Sequence, residues 1–130
     1  MSTRTSLRPV TVINGASMAS NITSSPTILQ SISGVSYALS WTGSSPVGTA
    51  SVQVSNDYAL NPNGGVENAG TWTTITLMVS GSPATTVPIS GNTGNGFIDV
   101  DKTMAYAIRL IYTAGSGSGS LTAVINGKVS

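Results

Sequence analysis

Val35–Trp41 reads VSYALSW, and its alternation decides how the rest of the chain is read. Val35, Tyr37, Leu39 and Trp41 are large and apolar, whereas Ser36, Ala38 and Ser40 are small or polar. On an extended backbone successive side chains point to opposite faces, so one face meets a core and the other meets solvent or a light contact.

Outward from this segment the same period recurs, broken by turn residues. Upstream, Pro9–Ile13 is extended and ends at Asn14-Gly15, residues 17–25 are ambiguous, and Thr27–Ile32 reads as a strand that turns at Ser33-Gly34. Downstream, TGSSPVG is expected to connect to a strand with Ala50, Val52 and Val54 inward and Ser51, Gln53 and Ser55 opposite. Trp72–Val79 is the next strand, sharing Ile75, Leu77 and Val79 on one face. A short piece, Thr85–Ile89, contains Pro88, which cannot donate to a central ladder and so marks an edge. GNTGNG (Gly91–Gly96) reads as a loop, because Asn and Gly tolerate positive φ. Phe97, Ile98 and Val100 supply packing in the next strand. Tyr106–Thr113 carries the strongest alternation, AGSGSGS is expected to be a hairpin tip, and Leu121–Val129 closes the chain.

These segments predict an all-β protein: a single β-sandwich or jelly roll of about eight or nine short antiparallel strands with an extended N-terminal arm. The expected division is an arm over residues 1–25 and a sandwich domain over 26–130. A chain of 130 residues is the size of one domain, and it buries enough surface, roughly two-thirds of its extended chain, to need no disulfide. It has no cysteine.

Composition excludes several functions. Only 7% of residues are charged, with a net charge of +1, and the five cations form no cluster, so nucleic acid is not an expected partner. Hydrophobic content of 39% and a mean hydropathy of +0.21 fit a folded chain rather than a disordered one. No apolar run approaches the roughly 18 residues of a membrane span, and no secretory signal is expected at MSTRTSLRPV. Without histidine the usual base of a serine nucleophile is missing. Asp99 and Asp101 would share a strand face about 7 Å apart, but FIDVDK reads more simply as a strand end. The expectation is a protein that is not an enzyme and takes no cofactor.

One tract resists the simple pattern. Between SVQVS and TWTTI lies NDYALNPNGGVENAG, with two of the four acidic residues, Asp57 and Glu67. An EF-hand starting at Asp57 would need a ligand at its third position, glycine at its sixth and glutamate at its twelfth. Those positions hold Ala59, Pro62 and Asn68, so no metal is expected. The tract reads as an enlarged hairpin tip started by Asn56 and Asp57, with Trp72 buried or at the core's rim. A loop this long is usually functional or mobile. Tyr58, Asn61, Asn63 and Glu67 are its candidate interaction residues, and Arg4 and Arg8 those of the arm.

The succession WTG (Trp41–Gly43), VQVSND (Val52–Asp57), WT (Trp72-Thr73), YAIRLIYTAGSGSGSL (Tyr106–Leu121) and GK (Gly127-Lys128) resembles small virion proteins of tailed bacteriophages, over roughly residues 37–128. Here the Asn-Asp pair is followed by a long insert where the family's frame has a short turn. The VQVSND…WT rhythm is also similar to a hairpin of discoidin-type carbohydrate-binding jelly rolls. The first resemblance implies a structural protein of the phage particle, made in the bacterial cytoplasm and located in the virion. Its expected role is a capsid decoration or cement protein on the major capsid protein, as a homo-oligomer such as a trimer. Deleting residues 2–20 is expected to abolish capsid binding. The second resemblance implies the alternative, a glycan- or receptor-binding module of a tail or capsid fibre, with Tyr58 as a stacking platform.

Overall fold

A computed structural model describes residues 6–29, 32–79, 81–100 and 103–128. Among these there is no helix, and twelve strands follow one another: β1 (Ser6–Ser17), β2 (Ile22–Thr23), β3 (Thr27–Ile28), β4 (Gly34–Ser55), β5 (Ala59–Leu60), β6 (Val66–Asn68), β7 (Thr73–Thr74), β8 (Leu77–Val79), β9 (Ser82–Ala84), β10 (Val87–Ser90), β11 (Thr93–Val100) and β12 (Ala107–Lys128). The protein is all-β and sandwich-like, as the alternation predicts, but it is built from two very long strands rather than a series of short ones.

β4 and β12 are 22 residues each and run antiparallel along their whole length, from Gly34 opposite Lys128 to Ser55 opposite Ala107. TGSSPVG and AGSGSGS are therefore not connections. They face each other across the middle of the pair, with Gly43 opposite Gly119, and the register slips only around Ser116. Ser45 takes φ +48° and Gly117 φ +76° here, so the ladder bends without ending.

The bend exchanges the faces. The buried side chains of β4 include those at 35, 37, 39 and 41 before it and 50 and 52 after it; those of β12 include 108, 110 and 112 before it and 121, 123 and 125 after it. Each long strand thus serves two half-sheets, a corner of the kind by which sandwiches are closed. The first half-sheet has the order β1-β12-β4-β11, and in the second β2 and β3 flank β12 while β7 and β10 flank β4. Tyr37, Leu39, Trp41, Leu121 and Ile125 from one half and Val52, Ile108, Leu110 and Tyr112 from the other enter a single core.

Residues 6–17, expected as an extended arm, are extended and run as an edge strand along β12 with three register shifts. Val12, Ile13 and Met18 lie in the core. Deleting residues 2–20 would therefore remove packing as well as any contact surface. Among the described residues β10 pairs with β4 alone and places Pro88 opposite Thr49, the edge location its proline implies. GNTGNG is in part strand: Thr93–Gly96 pairs with Leu39–Thr42. Glycine is needed there because a Cβ on Gly94 would enter the Trp41 ring. The expected strand Trp72–Val79 divides into β7, paired with β4, and β8, paired with β9.

Candidate functional site

The long insert is built on Ser55, the last residue of β4. Its buried hydroxyl donates to Asp57 Oδ1 (2.8 Å) and accepts from the amides of Asp57 (3.3 Å) and Tyr58 (3.2 Å). Asp57 Oδ1 also accepts from the Thr71 amide at 2.6 Å, which ties the far end of the insert to its start. Asn56 Oδ1 accepts from the Tyr106 amide at 3.0 Å. The turn role expected of Asn56 and Asp57 is thus carried by side-chain to backbone bonds. β4 meets β7 through Gln53 opposite Thr74 and Val54 opposite Thr73, so SVQVS and TWTTI do form a hairpin.

The Thr71 amide, then the Ser55 hydroxyl, hold the Asp57 carboxyl below the usual carboxylate value of 3.8. Because the folded value is depressed, the folded state binds fewer protons. The contribution is present above pH 3.8 and is lost as pH falls through the depressed value. The Thr71 amide proton shift is accordingly expected to titrate at a midpoint below 3.8, and Asp57→Ala to abolish that titration. A midpoint at or above 3.8 would contradict the bond.

Tyr58 is buried, 9% exposed, with its ring 5.7 Å from that of Trp72 at 52°. Trp72 is half-buried, donates from Nε1 to the Ala69 carbonyl (2.8 Å), and carries the Arg109 guanidinium 4.3 Å above its ring. Arg109 Nε donates to Gln53 Oε1 at 2.9 Å, across the register that pairs these residues. The Tyr58–Trp72–Arg109–Gln53 stack is a wall of the loop rather than an open platform. Sequence reasoning missed the roles of Arg109 and Gln53, although their placement two β-pairs from the loop follows once β4 and β12 are aligned.

The remaining candidates are not gathered into one site. Asn61 closes the β5–β6 hairpin, its Oδ1 accepting from the amides of Asn63 and Gly65 at 3.0 Å each. Asn63 and Glu67 are exposed on that hairpin, Arg8 is exposed on β1, and Arg4 lies outside the described residues. Among the described residues no group of three or more His, Asp or Glu side chains could hold a metal ion.

A second surface was not anticipated. Ile98 and Val100 of β11 are buried, but Phe97, expected to pack, points outward and is 67% exposed. Beside it a groove of about 440 Å³ runs over Ala38, Ser40, Thr122 and Val124 between Asn95 and Phe97. None of the residues lining this groove is charged, and Asp99 and Lys128 border a neighbouring hollow. The signal was present in VSYALSW: Ala38 and Ser40 are the small residues of its outward face.

No family model and no curated protein matches the sequence. Among solved structures the chain is similar to the SPBc2 prophage-derived protein YomS, with a TM-score of 0.58 and 10% identity over 97% of this chain and 96% of that one. At that identity the likeness is one of fold. No helix among the described residues is long and apolar enough to cross a membrane.

Proposed function

We propose that this protein is a structural component of a bacteriophage particle, and specifically a decoration or cement protein that binds the outer surface of the capsid. The observation that carries the reading is the fold likeness, nearly end to end, to a prophage-derived protein. The outer face of the first half-sheet supports it. Ala38, Ser40, Thr122 and Val124 offer small side chains that can be covered closely without stripping water from ions, whose burial costs several kcal/mol each unless paired. The partner in this reading is the major capsid protein, the location is the virion, and the protein acts without catalysis.

The glycan-binding alternative loses its strongest support, because Tyr58 is inside and Trp72 is covered by Arg109. Purified protein is expected to bind saturably to capsids that lack it, and to give no hits on a glycan array. Ser40→Glu, at an exposed outward position, is expected to weaken capsid binding at least about tenfold while leaving the melting temperature within a few degrees. Absence of saturable binding by the unmodified protein would overturn the proposal.

A further inference from the structure

The two edges of the first half-sheet are built differently. β1 carries Arg8 and Pro9 and leaves register with β12 three times. A charge, a proline and bulges are the devices by which natural sheets prevent an edge from pairing with another chain. β11 has neither the proline nor the bulges, and its one charge is Asp99, next to its last residue. Its eight residues, TGNGFIDV, hold unbroken register with β4 and include no Pro, Lys or Arg. Among the described residues β4 is its one strand partner.

The phase of the β4–β11 ladder determines which groups are free. The Gly43 amide donates to the Asn92 carbonyl at 2.7 Å, one step beyond the strand in the same register. Hydrogen-bonded and non-bonded pairs alternate in an antiparallel ladder, so Gly94, Gly96, Ile98 and Val100 are the residues bonded to β4. The amides and carbonyls of Thr93, Asn95, Phe97 and Asp99 point away from the sheet.

We propose that this edge pairs with the same edge of a second copy of the chain, antiparallel about a twofold axis at Gly96. Thr93 then lies opposite Asp99 of the second copy, and Asn95 opposite its Phe97. All four outward-pointing residues exchange hydrogen bonds, and inner and outer faces continue from one copy into the other. Charge and shape select a second copy as the occupant. Asp99 is the strand's only charge and in this register meets a threonine hydroxyl rather than its own counterpart. Each exposed Phe97 lands across from Asn95 on the rim of the other copy's groove, within the roughly 5 Å of a cross-strand pair. The interface is isologous and closes at two copies, where the sequence suggested a trimer. It does not depend on the phage reading.

Sedimentation and amide exchange on the full chain test it. The expected result is a dimer in which the amides of Thr93, Asn95, Phe97 and Asp99 exchange as slowly as those of Gly94, Gly96, Ile98 and Val100. Asn95→Pro removes an outward donor and leaves every β4 bond in place. It is expected to give a folded monomer in which the amides of Thr93, Phe97 and Asp99 exchange at least about tenfold faster. Should that variant not fold, Phe97→Lys adds a charge at an already exposed position and is expected to give the same monomer. A monomeric unmodified chain, a trimer, or a dimer that survives Phe97→Lys would overturn the proposal.

Discussion

Gly43→Val is expected to leave no cooperatively folded protein at 25 °C. Gly43 is exposed to solvent, a position at which substitution usually changes stability by less than about 0.5 kcal/mol. Its Cβ direction, however, runs straight into the backbone of β12, at the Ser118 carbonyl and the Gly119 Cα. Gly119 has the reciprocal problem, since a Cβ there would lie 2.5 Å from the Thr42 carbonyl oxygen. Neither strand can retreat, because β4 is held from outside by β11 and β12 by β1. The loss should exceed about 4 kcal/mol, close to the whole stability of a marginal domain. Gly81→Ala provides the contrast. Gly81 has φ +81° but open space around its Cβ direction, so only backbone strain of about 1–2 kcal/mol is expected. Thermal melts followed by circular dichroism separate the two, and a Gly43→Val melt within a few degrees of the unmodified protein would show that the bend is not closely packed.

Trp41→Ala is expected to cost about 3–5 kcal/mol, the range for removing a large aromatic from a core. Trp41 is 7% exposed, lies against Gly94 and Gly96, and donates from Nε1 to the Gly91 carbonyl at 3.2 Å. It therefore holds β11 and the turn before it onto β4, besides filling core volume. Removing the indole should speed amide exchange throughout β11 before it affects the centre of the β4–β12 pair. Trp41→Phe keeps much of the packing but loses the Gly91 bond, and should retain more than half of the lost stability. Equal losses for the two variants, or uniform exchange across the sheet, would contradict this role.

Much of the fold was legible in local pattern. Val35–Trp41 and Tyr106–Thr113 alternate because the extended backbone itself has period two, so a half-buried strand writes its buried face into the sequence. The Ser51–Ile75 hairpin was legible for a second local reason: Asn56 and Asp57 bond to backbone groups that end one strand and anchor the return. The candidate residues were less legible. Tyr58 was expected to stand outward on a loop and is buried against Trp72. Phe97 was expected to pack and is exposed, because only the pairing of β11 with β4 decides which parity of FIDV faces the core. Aromatic character does not report direction.

The sequence by itself determined that this protein is all-β, that only 7% of its residues are charged, and which residues alternate within each segment. Those properties come from composition and from backbone geometry acting over a few residues. The tertiary structure alone decided that TGSSPVG and AGSGSGS are the middles of strands rather than turns. A glycine- and serine-rich run has little conformational preference of its own, so its state is set by what lies opposite. Here the opposite strand is another glycine-rich run, and Gly43 against Gly119 lets two backbones approach where any side chain would keep them apart.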